Sequence, residues 1–460
     1  MTAGARRPPS IERILAAVRV AAPYDAAAGP AMTSLARAVV ATERDRLRAD
    51  PASTPRTPDE LAMDVSAARV ATADAGVPPV INATGVLIHT NLGRAPWPAA
   101  VAAGAAALAT DYLLLELDQA TGRRGPRARV AEDHLVALTG AQDALVTNNN
   151  AAAVALAVSL AGRGGGVVVS RGELVEIGGG VRIPDVIRRA GARLMEVGTT
   201  NRTRPADFDE ALADGRARVV LRVHPSNFAI HGFTEAPDPA SVAEVAHAHG
   251  AIVIDDLGSG ALLDTAAFGL AHEPMPGERL AAGADLVTFS GDKLVGGPQA
   301  GYIVGREDLV ARIRRDPLAR AMRPDRVTMA AIALTLGLYR SGRAASEIPI
   351  WRMLGTPLGE LERRADALIA RLGGAAATRV ELRSTVGGGA LPGETVPSVG
   401  VAIEAGGRSA TRVLAALRQG DPIVIGRIEA DRVVLDLRTV DPSRDDDLAA
   451  AIELATAIRR

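Results

Sequence analysis

The segment TFSGDKLVGGPQAG, residues 288–301, contains the only lysine of the chain, Lys293. Every other basic side chain among the 52 Lys+Arg is arginine. A lysine amine forms a Schiff base with an aldehyde, whereas an arginine guanidinium stays charged and does not. The single retained lysine therefore favours carbonyl chemistry at this position. The alternatives are an ordinary glycine-flanked surface turn, or one residue that escaped a codon bias by accident.

Short β-branched segments alternate with helical stretches from about residue 80 onward. This pattern predicts an α/β fold with a buried, mostly parallel sheet. The predicted strands are DALVT (143–147), VVVS (167–170), RLMEV (193–197), VVLRV (219–223), AIVID (251–255), DLVTFS (285–290) and GYIVG (301–305).

Polar or glycine-rich residues follow five of these strands. Catalytic groups of such a sheet lie at the carboxyl ends of the strands. The segments at those ends are NNNAAAV, RGELVEIGGG, HPSNF, DLGSG and GDKLVGG. Their joint occurrence is more specific than any one of the motifs, and it predicts a site for a phosphorylated aromatic aldehyde.

Phosphate is favoured where Asn148, Asn149 and Asn150 precede the helical segment AAAVALAVSL, because a helix N-terminus offers free N–H groups. Ser290 can add a hydroxyl to the same phosphate. The alternative interpretation of the asparagines is a plain helix cap.

An electron sink needs a carboxylate beside the ring nitrogen, and Asp256 is placed to provide it. Its neighbour Asp255 is the other candidate, and both could instead cap a turn. Asn227 can bond a ring hydroxyl, and Lys293 forms the Schiff base. Together these residues predict pyridoxal 5′-phosphate (PLP) as the cofactor.

Composition restricts the remaining possibilities. With 48% hydrophobic and 23% charged residues the chain is expected to be globular, and a net charge of −1 gives no overall basic field for nucleic acid. The absence of cysteine excludes disulfides and thiol nucleophiles. The seven histidines show no metal-ligand spacing, so no metal is expected. No segment approaches the length of a membrane span, and the N-terminal residues do not resemble a signal peptide, so a cytoplasmic protein is expected.

Three regions are predicted along the chain. Residues 1–80 are expected to form a separate helical module, in which Ser10 caps one helix and Thr57-Pro58-Asp59-Glu60 forms a capping box before another. Its first 50 residues contain eight arginines and five acidic residues, a weakly basic balance. Residues 81–344 form the large domain with the sheet, and residues 345–460 form a smaller α/β domain.

Several segments resemble the bacterial selenocysteine synthases, the L-seryl-tRNA(Sec) selenium transferases. They extend in family-like order over nearly all of residues 80–440. The matching segments are INATGVLIHTNLGRAP (81–96), ALVTNNNAAAV (144–154), SRGELVEIGGGVRIPDV (170–186), EVGTTNRT (196–203), DLGSG (256–260), TFSGDKLVGGPQAGYIVG (288–305), PLARAMRPDRVTMAA (317–331), GGGALPGETVPS (387–398) and GDPIVIGRIEADRVVLDLRTV (420–440).

This resemblance implies a fold type I PLP-dependent transferase, with a mostly parallel seven-stranded sheet and Lys293 as the PLP lysine. It implies conversion of L-seryl-tRNA(Sec) to selenocysteyl-tRNA(Sec) through an aminoacrylyl-tRNA intermediate, with selenophosphate as the selenium donor. Residues 1–80 correspond in length and helicity to the family's tRNA-binding domain. A homo-oligomeric ring of dimers, a decamer, is implied as well.

The family's arginines implicated in holding the donor phosphate fall on Arg94, Arg127, Arg320 and Arg323. Guanidiniums suit this role because they are always charged and bind phosphate through two N–H groups. Pro126 stands where the family usually has serine, so Arg124 is an alternative to Arg127. Arg320 and Arg323 are three residues apart in PLARAMRP, so one helical turn is expected to place both on the same face. Each arginine could also be an ordinary surface ion pair.

Two other functions compete with this interpretation. One is a related PLP-dependent lyase that acts on a small amino acid or an amino-sugar phosphate without tRNA. The helical module at residues 1–80 argues against it, because a small substrate has less need of such an appendage. The other is a non-catalytic protein that binds tRNA or PLP, and the intact Lys293 argues against that one.

Overall fold

The computed structural model describes residues 7–50, 52–74, 76–125, 129–230, 232–373, 377–404 and 407–457. The chain divides into two compact units, one ending at Pro79 and the other beginning at Val80. None of the helices in these described ranges is long and apolar enough to cross a membrane.

Three helices form the first unit: α1 (Ile11–Ala21), α2 (Gly29–Ala49) and α3 (Pro58–Asp74). The predicted capping box before α3 is confirmed. The Thr57 backbone N–H donates to Glu60 Oε2 at 2.7 Å, and the Glu60 N–H donates to Thr57 Oγ1 at 3.2 Å. Ser10 caps α1 as predicted, through a contact of 3.5 Å from the Arg13 N–H. Apolar residues at helical spacing form the core of this unit: Ile14, Val18, Ala36, Val40, Leu61, Ala62 and Val65.

The second unit contains all sixteen strands of the described chain. They are β1 (Val80–Asn82), β2 (Val86–Ile88), β3 (Asp143–Thr147), β4 (Gly166–Ser170), β5 (Glu176–Ile177), β6 (Val181–Arg182), β7 (Arg193–Val197), β8 (Ala217–Val223), β9 (Ile252–Gly258), β10 (Leu286–Ser290), β11 (Gly301–Gly305), β12 (Ala377–Gly387), β13 (Thr395–Ile403), β14 (Ile423–Ile425), β15 (Arg427–Glu429) and β16 (Arg432–Asp436).

Its helices surround the sheets and connect the strands. They are α4 (Ala99–Ala109), α5 (Arg129–Thr139), α6 (Asn150–Val158), α7 (Ile183–Arg189), α8 (Pro205–Leu212), α9 (Pro239–Ala248), α10 (Pro276–Ala281), α11 (Glu307–Arg314), α12 (Pro317–Ala321), α13 (Arg326–Arg340), α14 (Ala344–Glu347), α15 (Pro349–Gly355), α16 (Leu358–Arg371), α17 (Ala410–Gln419) and α18 (Asp445–Thr456).

Seven strands form the main sheet, in the order β3-β11-β10-β9-β8-β4-β7. Strand β11 is antiparallel to both of its neighbours, and the other pairings are parallel. All seven strands predicted from the sequence are therefore confirmed, with shifts of a few residues at their ends. The carboxyl ends of the six like-directed strands meet at one edge of the sheet.

Helices cover both faces of the main sheet, which explains why its strands are continuous apolar segments. Val167 and Val169 belong to the core beneath α6, α7 and α11, whereas Val168 belongs to the core beneath α8 and α9. Successive residues of a strand point to opposite faces. This alternation decides which side chains at the carboxyl ends can meet.

A second sheet, in the order β15-β16-β13-β12-β2, is built mainly from the C-terminal region. Its edge strand β2 comes from residues 86–88, and β1 pairs in parallel with β14. The chain thus contributes strands to the C-terminal region before it enters the main sheet. The predicted boundary at residue 345 separates consecutive segments of the chain, so it does not account for the pairing of β1 and β2 with C-terminal strands.

Candidate active site

A cavity of about 310 Å³ lies at the carboxyl edge of the main sheet. Its lining combines strand ends, the start of α6 and the loop after β12. Among the lining residues are the predicted site residues Arg94, Asn149, Asn150, Asn227, Asp256, Ser290 and Lys293. No group of three or more metal-ligating side chains is found in the described part of the chain.

Asp256 is buried in the wall of this cavity and accepts two hydrogen bonds on one oxygen. Asn150 Nδ2 donates to Oδ1 at 2.7 Å, and Thr288 Oγ1 donates to the same atom at 2.9 Å. Burial raises the pKa of the Asp256 carboxyl above its ordinary value, and these two hydrogen bonds and the nearby Lys293 ammonium offset part of that effect. The arrangement leaves Oδ2 as the oxygen that can meet a ring nitrogen.

The choice between the two neighbouring aspartates is decided by strand β9, which continues to Gly258 and so contains both of them. Asp255 points to the opposite face of the sheet. There its Oδ2 lies 3.7 Å from Arg279 Nε, on helix α10. Asp256 is therefore the aspartate that lines the cavity of Lys293.

Helix α6 begins directly at the cavity. Asn149 caps it by accepting a hydrogen bond from the Ala152 N–H at 2.9 Å. The first two N–H groups of the helix, those of Asn150 and Ala151, have no partner within an α-helix, and both residues line the cavity. These backbone N–H groups are available to an anion.

Asn148 departs from its predicted place. It follows β3 directly, its backbone N–H donates to the Met322 carbonyl at 2.7 Å, and it is exposed outside the cavity. The three consecutive asparagines thus have three different environments, because the chain turns from strand to helix between them. Only Asn149 and Asn150 reach the cavity.

Lys293 projects into the cavity from the loop after β10. Burial lowers the pKa of its ammonium, and the Arg94 guanidinium lowers it further, while the Asp256 carboxylate acts in the opposite direction. A lowered pKa increases the fraction of neutral amine, which is the form that attacks an aldehyde and takes a proton.

Gly389 packs against this lysine. A Cβ atom at Gly389 would lie 2.5 Å from Lys293 Nζ and 2.7 Å from its Cε. The residue has a φ of +88°, which also favours glycine. The backbone of the loop after β12 therefore forms one wall around the lysine side chain, and any larger residue would compete with that side chain for space.

We expect Gly389→Ala to displace Lys293 and to reduce turnover on the order of a hundredfold, because a misplacement of about 1 Å has that effect on catalysis. Gly393→Ala is the matched control. Gly393 has a similar φ of +82°, but a Cβ there would meet no described atom within 4 Å. Both variants carry the same backbone strain, so equal turnover and equal PLP binding in the two would show that Gly389 does not position the lysine.

A family model described as L-seryl-tRNA selenium transferase matches residues 80–441. The chain belongs to this family. It is 45% identical to the L-seryl-tRNA(Sec) selenium transferase of Carboxydothermus hydrogenoformans. The aligned region of 370 residues covers 78% of each chain. It is 47% identical to the L-seryl-tRNA(Sec) selenium transferase of Geotalea uraniireducens, over an aligned region of 388 residues that covers 83% of each chain.

Among solved structures the chain is similar to a D-glucosaminate-6-phosphate ammonia-lyase, with a TM-score of 0.60 and 23% identity over 84% of this chain and 98% of that one. This likeness concerns the fold. Together with the order of the main sheet it confirms the fold type I architecture of PLP-dependent enzymes.

Among the described arginines predicted to hold the donor phosphate, Arg94 is the one that lines the cavity. Its Nη1 donates to Asp292 Oδ2 at 2.7 Å. The residue has a φ of +65°, a left-handed conformation that is unfavourable for a side chain of this kind. Such strain is typical of functional sites, where the surrounding structure holds a residue in place.

The other two described arginines of this set, Arg320 and Arg323, do not line the cavity of their own chain. Arg320 is exposed on the short helix α12, which ends before Arg323, so the two do not share a helical turn as predicted. Arg323 and the alternative candidate Arg124 both form ion pairs with Glu116. Arg127 lies outside the described residues.

Three further residues at the site were not predicted from the sequence: Gly258 and Gly389, which line the cavity, and Thr288, which bonds to Asp256 from within the sheet. Thr288 lies in β10 directly opposite Asp256 of β9, and a polar residue inside a buried strand was the signal that could have identified it. Gly389 belongs to a run of three glycines, a pattern that indicates close backbone approach. Gly258, where a Cβ would lie 3.7 Å from Lys293 Nζ, follows the predicted aspartates.

Proposed function

We propose that this protein converts L-seryl-tRNA(Sec) to selenocysteyl-tRNA(Sec), with PLP as cofactor and selenophosphate as selenium donor. The observation that carries the proposal is the meeting of Lys293, Asp256 and the start of α6 in one cavity of a chain of this family. In the net reaction the seryl hydroxyl is replaced by selenium and phosphate is released.

The residues of the cavity fit PLP. Lys293 supplies the amine for the aldehyde, and Asp256 Oδ2 remains for the ring nitrogen. The backbone N–H groups at the start of α6 and the Ser290 hydroxyl suit the phosphate. Asn227, which is exposed at the rim, suits the ring hydroxyl.

Bound PLP supplies an electron sink that stabilises negative charge at the substrate α-carbon. The amine of Lys293, which its lowered pKa favours in the neutral form, would take the proton from that carbon. The Asp256 carboxylate, held by its two hydrogen bonds, would keep the ring nitrogen charged. Arg94, at the cavity wall, is placed to attract the anionic donor.

Incubation with seryl-tRNA(Sec) and selenophosphate tests the proposal directly. The expected product is selenocysteyl-tRNA(Sec), identified by mass spectrometry of the released amino acid. The second candidate function, a lyase for a small amino acid or an amino-sugar phosphate, is favoured by the fold shared with the ammonia-lyase. Parallel reactions with free serine and with D-glucosaminate 6-phosphate distinguish the selenium transferase from the lyase. Release of ammonia from these substrates, without reaction of the tRNA, would favour the lyase.

The proposal includes a homo-oligomer in which Arg320 and Arg323 of one subunit complete the site of another. It is supported by the exposure of Arg320 and by the position of both arginines outside the cavity of their own chain. Active sites often lie where subunits meet. Cytoplasmic location belongs to the same proposal, because the substrate is an aminoacylated tRNA.

Residues 1–79 are proposed to dock the tRNA. On helix α2 the exposed residues Arg37, Arg44 and Arg48 fall within about 40° of one another around the helix axis, at 100° per residue. A row of guanidiniums on one helix face suits the phosphate backbone of RNA. Only Arg48 of these three has a described ion pair on this helix, with Asp45 at 3.0 Å.

We expect the double substitution R37E/R44E to weaken tRNA binding by roughly tenfold or more and to lower the salt dependence of the affinity, because fewer counterions are released. Filter binding at several salt concentrations measures both effects. R163E, which changes an exposed arginine of the second unit, is the control. Unchanged affinity and slope in R37E/R44E would show that this face of α2 does not contact the tRNA.

A further inference from the structure

The Thr288 hydroxyl is a buried polar group that the proposed function does not yet use. Thr288 is fully buried in β10, and its cross-strand partner in β9 is Asp256. Burying a hydroxyl costs free energy unless it is hydrogen-bonded, and valine has the same shape without this cost. The bond from Thr288 Oγ1 to Asp256 Oδ1, at 2.9 Å, is thus what the threonine contributes here.

Asn150 makes the same bond from the other side. Its Nδ2 lies 2.7 Å from Asp256 Oδ1, while its own Oδ1 is buried without a partner among the described residues. Reversing the amide would place oxygen against the carboxylate, which is repulsive. The carboxylate therefore dictates the orientation of the amide, even though this leaves an amide oxygen unsatisfied.

Both donors reach one oxygen, and this has a geometric consequence. A carboxylate held at Oδ1 by donors from two different elements, β10 and α6, cannot rotate freely. Its second oxygen is then fixed in direction. Two donors also stabilise the charged form of a carboxylate, which burial alone would disfavour.

We propose that Thr288 and Asn150 are positioning residues, which hold the Asp256 carboxylate charged and aim its Oδ2 at the pyridine nitrogen of the cofactor. This inference rests on the proposed function, since it requires PLP in this cavity. Neither residue needs to touch the cofactor ring through its side chain, and both act through Asp256.

The test compares Thr288→Val with the wild-type protein, using PLP and an analogue in which carbon replaces the ring nitrogen. The removal of one charge-assisted hydrogen bond is expected to weaken PLP binding by roughly tenfold to a hundredfold. Binding of the analogue, which has no ring nitrogen for Asp256 to hold, should remain nearly unchanged. The pH titration of the cofactor absorbance should shift with PLP but not with the analogue.

Three variants make the result specific. Thr288→Ser retains the hydroxyl and should restore PLP binding. Thr335→Val removes a hydroxyl that is equally buried but bonds to the Ala331 carbonyl within α13, and it should leave PLP binding unchanged. In the Asp256→Asn background, Thr288→Val should have little further effect, because both act through one carboxylate.

Two results would overturn the inference: wild-type PLP affinity in Thr288→Val, or an equal loss of affinity for PLP and for the analogue. Asn150→Ala should also weaken the binding of PLP more than the binding of the analogue. An equal effect on both ligands would show that Asn150 does not act through Asp256. If the wild-type protein itself does not attach PLP at Lys293, the proposed function fails instead. Borohydride reduction and peptide mapping of the wild-type protein show whether PLP is attached at Lys293, and they therefore distinguish failure of the proposed function from failure of this inference.

Discussion

Lys293→Ala should abolish the covalent attachment of PLP. Turnover should fall by about 10²–10⁴-fold, which is the contribution of a positioned proton-transfer group, or become undetectable. The physical reason is that no other amine side chain exists in the protein. Borohydride reduction of the wild-type protein followed by peptide mapping should label one lysine-containing peptide. Lys293→Arg is the control that retains positive charge without an amine that attacks an aldehyde.

The pH dependence of the reaction should report the same residue. Because burial lowers the pKa of Lys293, the neutral amine is present at a lower pH than for an exposed lysine. The rate is expected to rise with pH as the ammonium loses its proton and to level off well below the range of an ordinary lysine. A PLP label elsewhere in the chain, or full activity in Lys293→Arg, contradicts the assignment.

Arg320→Ala and Arg323→Ala should slow selenium transfer by roughly tenfold to a hundredfold each, because each guanidinium would lose charge-assisted hydrogen bonds of about 1.5–3 kcal/mol to the donor phosphate. Dehydration of the seryl group needs no such contact and should persist. The two steps are measured separately, as loss of the seryl hydroxyl and as incorporation of selenium. Arg315→Ala, at an exposed neighbouring arginine, is the control.

Mixed oligomers test whether these arginines serve another subunit. Lys293→Ala and Arg320→Ala are each impaired alone, but a mixture allows some sites to receive an intact lysine from one chain and an intact arginine from the other. Partial recovery of selenium transfer is expected after subunit exchange. No recovery, or a parallel fall in both reaction steps in the single variants, would place the donor site elsewhere.

The positions of the predicted arginines relative to the cavity could not be predicted from the sequence. Their spacing in PLARAMRP indicated a shared helical turn, but α12 ends at Ala321 because Pro324 follows closely. The family resemblance placed four arginines at one phosphate, yet of the three that the structure describes only Arg94 lines the cavity of its own chain. A sequence does not contain the distances between segments that different subunits or distant elements bring together.

Local pattern was sufficient for much of the protein. Buried parallel strands must be apolar on both faces, so the seven strands of the main sheet were visible in the sequence, and so were the polar residues at their carboxyl ends. Lys293 stood out because an amine has chemistry that arginine lacks. The capping box at Thr57 and Glu60 was equally local, since its bonds span three residues.

The tertiary structure decided what depends on direction and on long-range pairing. Asp255 and Asp256 are equivalent in the sequence, but adjacent residues of a strand face opposite layers, and only the packing of α6 and α10 determines which layer holds the cavity. Thr288 became part of the site through its register opposite Asp256, and Gly389 through a loop about a hundred residues beyond Lys293. Strand register and loop packing are set by the whole fold, because each depends on contacts between segments that no local spacing records.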